Sequence, residues 1–117
     1  IQLYKGSICV PDERLFGMDG AICVEVIEHL TFEELERFPE VVFGVLKPKV
    51  VVISTPNSEF NVLFKGLETG KFRHFDHKFE WTRNEFHEWS NLVASKYGYS
   101  VSFSGVGDPI TRADDVN

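Results

Sequence analysis

Three groups of residues in this chain have types and spacing that could do chemistry. The first is Glu25-Val26-Ile27-Glu28-His29, two carboxylates and an imidazole within five positions at the end of an apolar run. Such a set suits a hard or borderline divalent ion, Mg²⁺, Mn²⁺ or Co²⁺, better than a thiolate-preferring one. It also suits a plainer role, in which Glu28 and His29 solvate a helix entrance and Glu25 caps something locally, since the spacing is none of the familiar zinc signatures. The second group is Arg73-His74-Phe75-Asp76-His77-Lys78-Phe79-Glu80-Trp81-Thr82-Arg83. Basic, imidazole and aromatic side chains interleaved this way can pair with phosphates and stack on bases, and His74 or His77 could close a metal site begun by the first group. Against that, Phe79 and Trp81 fit packing, and a single His fits a simple hydrogen bond. The third is the polar stretch Thr55–Asn61, where Asn57 or Asn61 could touch a ligand and a plain Asx or Pro turn is equally compatible.

The elements that must position these groups follow from periodicity. Ala21–Ile27 is a near-continuous apolar run rich in β-branched residues, expected of a strand buried on both faces. Thr31-Phe32-Glu33-Glu34 has the form of a capping box, with Leu30 and Leu35 placed for a hydrophobic staple. Pro39 predicts a kink or a new helix running to about Leu46, closed by Pro48. Lys49–Thr55 reads as a second buried, parallel-type strand. Pro56–Trp81 is then an aperiodic loop of about 25 residues, a length that is usually functional inside a domain. Thr82 and Glu85 repeat the capping box, Trp81 and Phe86 the staple, and the helix puts Phe86, Trp89, Val93 and Tyr97 on one stripe before Gly98 ends it. Tyr99–Phe103 is the expected third strand. The order β-α-β-α-β makes this an α/β protein. In open α/β sheets ligands sit at the carboxyl ends of strands, which aims Glu25, Glu28 and His29 at the functional edge.

Composition sets the bounds. With 117 residues, 43% apolar, a single domain with a real core is expected, and disorder, collagen and coiled coil are excluded. No apolar run approaches the ~20 residues of a membrane span. Twelve basic against eighteen acidic residues give a charge of −6, but unevenly: Pro11–Glu40 has nine acidic and two basic residues, Val62–Arg83 five basic, three acidic and two His. A local basic site on an acidic body is therefore open. Cys9 and Cys23 lack metal or redox spacing and read as reduced, buried small hydrophobes, as in a cytoplasmic protein. The chain begins at Ile1 with its only Met at position 18, so it is silent about N-terminal signals. No Gly-rich turn follows the first strand, and Gly105-Val106-Gly107 comes after the last. The expectation is the second half of a larger α/β domain.

Four segments in order resemble the Hen family of small-RNA 3′-terminal 2′-O-methyltransferases: Glu25–Leu30, Ser54–Asn61, Phe72–Arg83 and Tyr99–Gly107. The resemblance covers nearly the whole chain. It implies that residues 1–117 form the C-terminal portion, metal- and RNA-end-binding, of a Rossmann-like S-adenosylmethionine-dependent methyltransferase domain, with no second domain. It implies Glu25, Glu28, His29 and His77 as ligands of Mg²⁺ or Mn²⁺ and as the catalytic residues, with His29 a candidate general base. Ser7, in Leu3–Ser7, corresponds to a segment near the cofactor. Asn57, Arg73, Lys78 and Arg83 are the candidate substrate contacts. The implied partners are a small-RNA 3′ end and an Argonaute/Piwi-type protein, with neither DNA nor membrane. The family's Gly-rich cofactor loop and the acidic residue that holds the cofactor ribose are not in the chain, so methyl transfer is expected of the whole protein and not of these residues alone. The alternative is a non-catalytic, metal-dependent RNA 3′-end binder.

Overall fold

The computed structural model of the protein describes residues 1–59 and 77–105, which fall into two compact units. In the first, residues 1–56 and 77–79, a short 3₁₀ turn at Glu13–Leu15 is capped by Asp12, whose carboxylate accepts from the Arg14 amide. The strands Gly20–Val24 (β1) and Val50–Ser54 (β2) pair in parallel, Gly20 opposite Val50 and Val24 opposite Ser54. A parallel pair needs a crossover, and helix Phe32–Pro39 (α1) with a π-helical continuation at Glu40–Leu46 supplies it.

The expected capping box at Thr31 forms: the Thr31 hydroxyl accepts from the Glu34 amide and the Glu34 carboxylate from the Thr31 amide. Pro39 has no N–H to give to Leu35, and directly after it the helix widens, Lys47 donating to Val42 five residues back. Lys47 ends the crossover in the left-handed region, at φ 47°. Ile27, Leu35, Phe38, Val41, Val42 and Phe43 form the core, with Phe38 and Ile27 fully inaccessible. Burial of side chains of this size contributes about 1.5–3 kcal/mol each. Cys9 and Cys23 are free and buried as expected, and burial is the main cause raising both thiols above their ordinary pKa.

Two sequence expectations are corrected. The first strand stops at Val24 and not Ile27, because Glu25 takes φ 56° and breaks the extended run. It is also not buried on both faces: Ile22, Val24, Val50 and Val52 are exposed. Residues 8–10 form a turn, the Val10 amide donating to Ser7 O at 3.2 Å.

The second unit's described residues are 57–59 and 80–105. Helix Arg83–Tyr97 (α2) has the expected Thr82–Glu85 capping box, and Trp81 lies 6.4 Å from Phe86 and 5.5 Å from Trp89, centroid to centroid. Gly98, at φ 78°, and Tyr99 both donate to the Ala94 carbonyl, a glycine-dependent helix end. Tyr99–Phe103 is not a strand, having no ladder partner among the described residues. Phe103 instead stacks on His87, with centroids 3.7 Å apart, and meets Phe86 edge-on. Among the described residues no helix is long and apolar enough to cross a membrane.

Thr82→Ala should lower stability by about 1 kcal/mol through loss of the cap. Trp81→Ala should cost more, through lost aromatic packing. Urea melts of the two variants beside wild type check both.

Candidate metal centre

Where β1 stops, the chain turns sharply. The Glu25 amide continues the ladder by donating to Ser54 O at 2.9 Å, and its left-handed backbone then leads into a 3₁₀ turn over Ile27–His29. Within that turn the His29 amide donates to Val26 O and the Leu30 amide to Ile27 O. The turn drives Ile27 into the core and takes Glu28 with it: the Glu28 side chain has no solvent exposure at all.

Glu28 is bonded from two directions. Its Oε1 accepts from the Thr55 hydroxyl at 2.8 Å, and its backbone carbonyl accepts from the Lys78 amide at 2.7 Å. The Lys78 bond, with buried Phe79 beside it, holds residues 77–79 against the turn. The other carboxylate oxygen, Oε2, is buried with no hydrogen-bond partner among the described residues. It faces two imidazoles, His29 Nε2 at 3.6 Å and His77 Nε2 at 4.0 Å, whose rings meet edge to face with centroids 4.7 Å apart.

Those separations exceed hydrogen-bonding distance. Leaving a buried carboxylate oxygen unmatched costs several kcal/mol, which a positive charge among the three atoms would offset. One carboxylate oxygen and two imidazole nitrogens, all within 4.8 Å of one another, are the donors of a borderline divalent ion. The residues therefore fit a metal. His77 is nearly buried and His29 about a third exposed, 9% against 34%, so the group is reached from the His29 side. A closed floor with one accessible side resembles catalytic metal sites, which keep positions for water or substrate.

The structure thus brings together three of the four expected ligands. Glu25 lies outside this group, exposed at the strand end. Ser7 sits in a turn, its Oγ accepting from the Cys9 amide. Lys78 is exposed beside His77. Asn57 and Arg83 belong to the other unit, where Asn57 makes the plain Asx turn, Oδ1 accepting from the Glu59 amide, and the Arg83 amide donates to Glu59 Oε1. Arg73, His74 and Asn61 lie outside the described residues. Sequence reasoning assigned no role to Thr55. The available signal was its place just past the end of β2, next to the end of β1 in a parallel pair.

No family model matches the chain. Over 116 residues, 99% of its length, it is 53% identical to the small RNA 2′-O-methyltransferase of Gallus gallus, and 43% identical over 120 residues to that of Drosophila melanogaster. In fold it matches the crystal structure of small RNA methyltransferase HEN1 with TM-score 0.81 and 45% identity, over 88% of this chain and 13% of that one. In sequence and in fold the chain is similar to the Hen family of small RNA 2′-O-methyltransferases. It spans about a third of the length of the chicken and fly relatives, 30% and 31%. A second Hen structure, the methyltransferase domain of bacterial-CtHen1-CN, matches with TM-score 0.78 and 43% identity over 92% of this chain and 53% of that one. The resemblance read from four motifs and the expected α/β methyltransferase class are both borne out.

Mn²⁺ at a hundred times its Kd should stabilise the protein by about 2.7 kcal/mol. Glu28→Gln, which removes the buried charge and keeps the shape, should fold and show no such gain. Thermal melts with Mn²⁺ and with EDTA read both.

Proposed function

We propose that the chain carries the metal- and RNA-end-reading portion of an S-adenosylmethionine-dependent methyltransferase that modifies the 2′-hydroxyl of the 3′-terminal nucleotide of small RNAs of the piRNA, siRNA or microRNA type. The observation that carries this reading is the Glu28 carboxylate, buried at the ends of two parallel strands with one oxygen turned toward His29 and His77. Its similarity to small RNA 2′-O-methyltransferases supports the reaction class.

Glu28, His29 and His77 would hold Mg²⁺ or Mn²⁺, with Glu25 the fourth ligand if its exposed side chain turns inward. A divalent ion held there would supply Lewis acidity toward the terminal ribose 2′- and 3′-hydroxyls and so favour ionisation of a 2′-hydroxyl that is a poor nucleophile at neutral pH. A general-base role for His29 is proposed as the alternative to its ligand role, since an imidazole bound to a metal has no lone pair left to take the 2′-hydroxyl proton. Glu28 would hold the ion in position, and the buried side chains of Ile27 and Phe79 would exclude water beneath it. Lys78 is exposed beside His77 and suits a terminal phosphate, a role also proposed for Arg73 and Arg83. Asn57 is proposed to touch the RNA and Ser7 the cofactor. Demand for both terminal hydroxyls would reject DNA ends and internal nucleotides. Protection of small-RNA ends in the cytoplasm, with delivery by an Argonaute/Piwi-type protein, completes the proposal.

The test is methyl transfer by the full-length protein from labelled S-adenosylmethionine to a short RNA, with Mn²⁺ or EDTA, beside the same oligomer ending in a 2′-deoxy nucleotide. Metal-dependent labelling of the 2′-hydroxyl end alone is expected. Metal-dependent end binding without labelling would overturn the enzymatic reading and leave an end-binding module. In the same protein Glu25→Ala, Glu28→Ala, His29→Ala and His77→Ala should each reduce transfer by more than the roughly 10–100-fold typical of losing an outer metal partner. Cofactor affinity should stay near wild type, and retained activity in two of the four would sink the ligand assignment.

A further inference from the structure

We infer that Thr55 is a positioning residue for the Glu28 carboxylate and sets the size of ion that the Glu28–His29–His77 group accepts. The inference rests on the metal reading above and deepens it. A glutamate side chain ends in a torsion with a broad, two-fold preference, so a carboxylate held only by packing can rotate and offer either oxygen, or both. At Glu28 that freedom is removed. Oε1 is taken by the Thr55 hydroxyl at 2.8 Å, and Oε2 is left facing the imidazole nitrogens of His29 and His77.

A hydroxyl has a single hydrogen to donate. Thr55 spends it on Glu28, and the two residues are 27 positions apart in the chain, so the bond is a tertiary contact at a buried carboxylate. Its placement follows from the sheet. Val24 pairs with Ser54, so the segments leaving β1 and β2 depart side by side, and Thr55 is the first residue past the β2 end. The Glu25 amide bond to Ser54 O ties the two departures together.

Ion size enters through the number of oxygens offered. Small ions such as Mg²⁺ are held at about 2.0–2.1 Å, usually by single carboxylate oxygens, whereas Ca²⁺ takes 6–8 oxygens at about 2.3–2.6 Å and commonly both oxygens of one carboxylate. A carboxylate with one oxygen committed to a hydroxyl favours the smaller class. With that hydroxyl gone, both oxygens become available and Ca²⁺ gains most.

The test measures Mn²⁺ and Ca²⁺ affinities of the full-length protein by calorimetry, without RNA or cofactor, for wild type, Thr55→Ser, Thr55→Val and Thr55→Ala, with a melt of each metal-free protein. Thr55→Ser should keep wild-type affinities. Thr55→Val should lose about 10–100-fold in Mn²⁺ affinity, the usual effect of removing a group that orients a ligand. Its Mn²⁺ to Ca²⁺ affinity ratio should fall by at least tenfold. Thr55→Ala, which adds no methyl group in place of the hydroxyl, gives the same readout should Thr55→Val fail to fold. An unchanged affinity ratio in a folded hydroxyl-free variant, or equal losses in Thr55→Ser, would overturn the inference while leaving the metal reading intact. Failure of the wild-type protein to bind either ion would overturn the metal reading itself and this inference with it.

Discussion

A carboxylate that is fully buried and, among the described residues, matched on only one of its two oxygens is the constraint around which the first unit is arranged. Glu28 has no solvent exposure, one bond to Thr55 and one oxygen turned toward two histidines. Burial of this kind is costly unless a positive charge answers it. Every neighbouring element can be understood by what it does for that side chain. Ile27 anchors the turn in the core, Thr55 holds one oxygen, and the Lys78 amide bonds the backbone carbonyl so that His77 stands beside the other.

The backbone achieves this with departures from regular structure at the right places. Glu25, at positive φ, stops β1 one residue after its last paired position and lets a 3₁₀ turn reverse the chain within three residues. A strand continued to Ile27 would alternate side chains across the sheet and could not bury Ile27 and Glu28 together. On the crossover, the proline-linked change from α to π geometry keeps Val41, Val42 and Phe43 all in the core. Backbone held in sparsely populated regions clusters at functional sites, and Glu25, at φ 56°, stands three residues before Glu28.

Much of this was legible in the sequence where the governing rule is local. Both capping boxes, the staple of Trp81 on Phe86, the Gly98 helix end and the break at Pro39 act over about four residues, and each appears where its residues stand. The strand limits were less legible, because an apolar run such as Ala21–Ile27 looks the same whether its last residues extend or turn. Tyr99–Phe103 has strand-like composition, yet a strand exists only if a neighbour accepts its hydrogen bonds.

The sequence by itself determined the family resemblance, the α/β class and the identity of three clustered metal-competent residues, since these depend on residue types in order. Only the tertiary structure decided which of them converge. Glu28, Thr55 and His77 are far apart along the chain and meet because β1 and β2 pair in parallel and residues 77–79 hydrogen-bond back to the turn. Glu25, three positions from Glu28, stands apart because a single positive φ redirects the chain between them. Spacing in sequence predicts proximity only while the backbone stays regular, and here the backbone turns at the site itself.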